Sequence, residues 1–161
     1  MATQAQINNR NRERGKNFER RMADRMGNWY RIPYSGSSEL FGLGDVRDTE
    51  DKNSASFMME CKTITPRSAR EINYSIKEEW LVGRLSIVAK AKYENDKFWS
   101  LAFTKKGSPN AYIITSLEQY RAFTRLIEMA KDKGFLSNQN GNATKTLEEI
   151  DVLYDKWINE R

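Results

Sequence analysis

From Phe98 to Phe103 the chain is apolar on both faces of an extended strand, with Ser100 as the one polar residue among Phe98, Trp99, Leu101, Ala102 and Phe103. Successive side chains of a strand point to opposite sides. A strand that is apolar on both sides has to be covered on both, so this segment reads as a central strand with helices on each face.

The flanking segments fit that plan. Phe18, Met22 and Met26 recur every four residues and predict a helix from about Asn9 to Met26, stopped by Gly27. A short strand is expected at Trp29 to Ile32, then a Ser- and Gly-rich loop from Tyr34 to Gly44, and a second strand opening at Asp45 to Arg47. The polar stretch Asp48 to Ser56 reads as a turn, and Phe57 to Ile64 is the clearest strand. Ser75 and Glu78 have capping-box spacing, which predicts a helix from Ile76 that buries Ile76, Trp80, Leu81, Leu85, Ile87 and Val88. Beyond the central strand, Ala111 to Thr115 reads as a further strand across a turn with Gly107, Ser108 and Pro109. Ser116 and Gln119 open a third helix striped by Leu117, Tyr120, Phe123, Leu126, Ile127 and Ala130. Thr146 and Glu149 are expected to cap a last helix carrying Ile150, Leu153, Tyr154 and Trp157. The expected class is α/β: a disordered tail over 1–9, a domain over 10–136, and a linker and helix over 137–161 appended to it.

Composition removes several chemistries. The chain has 161 residues, one cysteine (Cys61) and no histidine. Intramolecular disulfides are impossible, Ser-His and Cys-His nucleophile systems are excluded, and imidazole zinc sites are absent. A reducing, cytoplasmic setting is expected. The first fourteen residues have no apolar core and do not read as a signal peptide, and no apolar run is long enough for a membrane span. The formal net charge is +5. Arg10, Arg12, Arg14, Lys16, Arg20, Arg21, Arg25 and Arg31 crowd one stretch, a band suited to a phosphate backbone. On charge alone, a solvated helix laced by local ion pairs is the slightly better account.

The strand Phe57 to Ile64 carries the candidate chemistry. Glu60 and Lys62 stand at i and i+2 and share a face, opposite Phe57, Met59 and Cys61. With Asp45 on an adjacent strand, two carboxylates meet in a basic setting. A hard cation such as Mg²⁺ relieves their repulsion through oxygen ligands, and it stabilises charge in phosphodiester attack. Lys62 is suited to orient the attacking water or to neutralise charge on the phosphate. Glu19, on the first helix, is a candidate for a second metal or its water. Taken alone, an Asp followed fifteen residues later by Glu-x-Lys is better read as an exposed strand face with a local ion pair.

The flanking residues shift the balance. Gly15-Lys16-Asn17-Phe18-Glu19-Arg20, then Arg31-Ile32-Pro33-Tyr34-Ser35-Gly36-Ser37, then Asp45, then Glu60-Cys61-Lys62 follow one another in order. Together they resemble the archaeal-type Holliday junction resolvases of the PD-(D/E)XK nuclease superfamily, across about residues 12 to 104. The resemblance implies a restriction-endonuclease-like mixed sheet flanked by helices. It also implies a homodimer, and Mg²⁺-dependent paired nicking of four-way DNA junctions, with Mn²⁺ able to substitute and no small-molecule cofactor. In this resemblance Glu19, Asp45 and Glu60 match the metal-binding acids, with the Cys61 carbonyl as a further ligand. Lys62 matches the catalytic lysine, and Ser35 a loop serine at the scissile phosphate. Arg14, Lys16, Arg20, Arg31 and Ser37 are expected along the DNA. The chain departs from the pattern where Gly44 replaces a proline before Asp45. Leu40, Phe41 and Leu43 also stand where relatives are often basic, in a loop suited equally to a partner and to packing under the sheet. The alternatives are another nuclease on the same scaffold, restriction-like or for repair, and a non-catalytic DNA-binding protein.

Overall fold

A computed structural model describes residues 3–27, 29–32, 44–51, 53–65, 75–82, 86–93, 97–136 and 143–159. The chain divides into two compact units, Met1–Ser116 and Leu117–Arg161.

The first unit is a mixed α/β layer. Its elements are α1 (Gln4–Arg25), β1 (Tyr30–Arg31), β2 (Val46–Arg47), β3 (Phe57–Ile64), a 3-10 turn (Glu78–Trp80), α2 (Ile87–Tyr93), β4 (Phe98–Lys105) and β5 (Tyr112–Ile114). The five strands form one sheet in the order β1-β2-β3-β4-β5. The pairings β1–β2, β2–β3 and β4–β5 are antiparallel. The β3–β4 pairing is parallel, with Phe57 opposite Phe98 and Ile64 opposite Lys105.

Alternation along β3 builds a core on each side of the sheet. Met59 packs with Phe18, Met22 and Ala23 of α1, together with Val46 and Ala102. Its neighbour Met58 packs with Ile87 and Ala91 of α2 and with Leu101. Both methionines are 1% exposed, so the middle of the sheet is covered above and below, as the apolar run in β4 requires. Full burial of side chains this large contributes roughly 1.5–3 kcal/mol each. Trp29, Trp80 and Trp99 pack against these two cores, whereas the Trp157 side chain lies outside the described residues.

Three expected helix boundaries differ. The helix predicted from Asn9 begins five residues earlier, at Gln4, because Thr3 and Gln6 form a capping box there. Residues 4–9, expected as a tail, are therefore helical. The helix predicted from Ile76 is only a 3-10 turn at Glu78–Trp80, and its N-cap, Lys77, makes no side-chain cap bond. The helix forms later, where the Ser86 hydroxyl accepts from the Ala89 N–H and caps α2. Ile76, Trp80 and Leu81 still lie against the α2 core, while Val88 is exposed.

The second unit holds α3 (Leu117–Asp132) and α4 (Ala143–Asn159). α3 starts where Ser116 places it and ends at Gly134, whose positive φ of 73° lets Phe135 and Leu136 donate back to the Ala130 carbonyl. Its stripe is not buried: Leu117, Tyr120 and Leu126 are exposed. α4 opens at Ala143, so Thr146 lies inside the helix rather than at its cap. Among the described residues no helix is long and apolar enough to cross a membrane.

Candidate active site

Asp45 brackets Glu60. It immediately precedes β2, and its backbone N–H donates to the Met59 carbonyl at 2.8 Å. Its carboxylate Oδ2 accepts from the Cys61 N–H at 2.7 Å. Asp45 and Glu60 are each 8% exposed. Carboxylates buried this far need bonded partners, since an uncompensated charge away from water is costly.

Glu60 finds its partners in two lysines. Lys62 Nζ donates to Oε1 at 2.5 Å, and Lys90 Nζ, from α2, donates to Oε2 at 3.0 Å. Burial is the largest influence on the Glu60 carboxyl and acts to raise its pKa. The two ammonium groups outweigh it and hold Glu60 ionised below the usual range. The same balance governs Lys62. Burial favours the neutral amine, but the charge and hydrogen bond of Glu60, with Asp45 beyond it, hold the ammonium above its ordinary value. Sequence reasoning did not single out Lys90, because the helix was expected to open at Ile76 rather than after Ser86. The signal was present: Ser86 is a good cap, Ile87 and Ala91 are spaced for a buried face, and Lys90 flanks them.

Glu19 approaches from α1, on the other side of the sheet. Its Oε2 accepts from Arg31 Nε at 2.8 Å, so Arg31 of β1 holds an expected site acid. The Cys61 thiol faces the α1 core. Burial raises its pKa first, and the charges of Asp45, Glu19 and Glu60 raise it further. By the alternation of an extended strand, Cys61 turns its N–H, and with it its carbonyl, toward the β2 side where Asp45 lies.

Carboxylates and a strand carbonyl are the oxygen donors that Mg²⁺ takes, and no soft donor competes while the thiol faces the core. In kind, the donor set fits the ion. Its charges are met by cations of the chain itself: both Glu60 oxygens hold lysines, and Glu19 holds Arg31. Among the described residues no group of three or more His, Cys, Asp or Glu side chains stands ready to hold a metal ion.

Among the expected DNA-binding residues, Lys16 pairs with Glu13 at 3.0 Å and Arg20 donates to Asn17 at 3.0 Å, both on the exposed side of α1. Arg14 lines a cleft beside the β4–β5 turn. Ser35, Ser37 and the Leu40–Phe41 loop lie outside the described residues. No family model, no curated protein and no solved structure matches the chain.

Proposed function

We propose that the chain is a divalent-metal-dependent DNA endonuclease that nicks four-way junctions as a homodimer. The observation that carries this reading is the arrangement at Cys61: Asp45 accepts from its N–H, and Glu60 and Lys62 flank it on the opposite face of the strand. Glu19 stands on the α1 side, held by Arg31. A basic helix beside an acid-lysine cluster suits a substrate whose phosphates need neutralising. The restriction-endonuclease-like assignment of the fold belongs to this proposal. It is supported by a mixed sheet with helices on both faces and by acids at the β2–β3 junction.

In this reading Asp45, Glu60 and the Cys61 carbonyl would hold Mg²⁺, with Glu19 nearby. A bound Mg²⁺ supplies Lewis-acid stabilisation of the phosphate. The chain's own groups do the rest. Lys62 stays protonated beside Glu60 and offers its charge to the phosphate oxygens. Lys90 takes up one Glu60 oxygen and fixes the carboxylate's orientation. Arg31 is the cation that Glu19 must share with any ligand.

The ion pairs on Glu19 and Glu60 favour a second reading, a DNA-binding protein that does not cut. One experiment separates the two. Labelled four-way and linear DNA are incubated with the protein in Mg²⁺ and in EDTA. Symmetric nicking of the junction in Mg²⁺ alone, with little cutting of the linear duplex, supports the nuclease. Tight junction binding with no cleavage under Mg²⁺ or Mn²⁺ selects the non-catalytic protein, and cleavage of linear duplex at a fixed sequence selects a restriction-like enzyme.

A further inference from the structure

We propose that the cleft between α1 and the β4–β5 turn is a second, non-catalytic phosphate site that grips the DNA backbone next to the candidate active site. It rests on the DNA reading above for its ligand, and not on cleavage.

The cleft encloses about 540 Å³. Arg14 and Arg21 line it from α1, and Lys105 and Lys106 from the end of β4 and the turn. No carboxylate lines it among the described residues. Arg21 is fixed in place: its Nη1 donates to the Ser108 carbonyl at 3.3 Å, its Nη2 donates to Thr104 Oγ1 at 3.4 Å, and its Cζ sits 5.2 Å from the centre of the Phe18 ring. Two further polar atoms of the wall, Arg21 Nε and Thr63 Oγ1, are buried without a hydrogen-bond partner. Polar atoms left in that state cost free energy.

The position matters as much as the charge. Phe18 of the cleft precedes Glu19, and Thr63 follows Lys62. Along β3, Thr63 lies about 10 Å from Glu60 at roughly 3.3 Å per residue. Thr63 turns to the α1 face and Glu60 to the α2 face, so a nucleic-acid strand with one phosphate at Glu60 reaches the cleft by passing around the end of β3. Phosphate contacts of this kind set position and carry no sequence information.

The test uses the full chain, a fluorescein-labelled four-way junction and a linear duplex, with anisotropy read in EDTA across a salt series. Arg14→Gln and Lys106→Gln are each expected to lower the slope of log K against log salt by about 1, on both DNAs. At 0.1 M salt that corresponds to a loss of about eightfold in affinity for each. Lys131→Gln, on α3, is the charge-matched control and is expected to change neither. Thermal melting confirms that each variant folds. Unchanged slopes for Arg14→Gln and Lys106→Gln, or losses no larger than the control's, overturn the proposal, as does a wild type that binds neither DNA in EDTA. Because binding is read without metal, a protein that binds through the cleft but never cuts would sink the nuclease reading and leave this site standing.

Discussion

Lys90 Nζ lies 3.0 Å from Glu60 Oε2, joining the helix between the two parallel strands to the acid at the centre of the sheet. With Lys62 on the other oxygen, Glu60 carries two cations at once. Losing one leaves a buried carboxylate half compensated, and losing Glu60 leaves two lysines close together without their shared partner.

Glu60→Gln is therefore expected to cost about 1–3 kcal/mol of stability at neutral pH, less than a fully buried pair because both lysines are partly exposed. The sign of the pH dependence follows from the depressed carboxyl. Stability contributed by Glu60 is present above its unfolded pKa near 4.3 and is lost as pH falls through the lower folded value. Urea unfolding at pH 7 and pH 3 checks this, with the gap between wild type and Glu60→Gln narrowing in acid. A gap that widened would show that Glu60 is not held ionised.

Asp45→Asn keeps an oxygen for the Cys61 N–H and should fold normally. It removes a charge from the site, so junction cutting is expected to fall by at least about a hundredfold, in the range of losing a preorganised electrostatic group. DNA binding in EDTA should stay the same or tighten. Cutting rates on labelled junctions give the answer, and a variant that cuts at the wild-type rate would remove Asp45 from the site.

Gly44 precedes Asp45 with a φ of 105°, and a Cβ there would stand 3.1 Å from the Met58 Cε. That backbone region is open mainly to glycine. Gly44→Ala should destabilise the fold by about 1–3 kcal/mol and displace the Asp45 carboxylate with it. The expected signature is a lower denaturation midpoint together with slower cutting. An unaltered midpoint would mean that the chain readily takes another path into β2.

The Cys61 thiol is half-buried against the α1 core with Asp45, Glu19 and Glu60 nearby, and its burial and their charges disfavour the thiolate. Alkylation by iodoacetamide at pH 8 should be slow in the native protein and fast in denaturant. Equal rates in the two states would place Cys61 at the surface.

The parts of this fold that sequence makes legible are those where pattern and packing agree. Phe18 and Met22 are spaced for one helix face and pack on Met59. The strand from Phe57 to Ile64 was legible residue for residue, because hydrophobic stretches bounded by turns leave few alternatives. The helix that carries Lys90 was not. Ser75 and Glu78 imitate a cap, and Ser86, the working cap, has no acidic partner at the third helical position to announce it. At the site, the spacing of Glu60 and Lys62 predicted their shared face. It could not predict that Arg31 would be spent on Glu19, because that contact joins α1 to β1 across a turn. The exposed stripe of α3 is a further limit: periodicity marks a face that can be covered, and not what covers it.

The parallel pairing of β3 with β4 sets an order of events during synthesis. The acids and Lys62 leave the ribosome early, but β3 has no neighbour on that side until the chain has passed through α2 and delivered Phe98 to Lys105. Until then β3 has β2 on one edge and nothing on the other to hold the direction of Glu60. A nascent chain that stops short of Lys105 carries every charged group of the centre and none of its shape, so the protein should stay inert toward its ligand until the crossover closes.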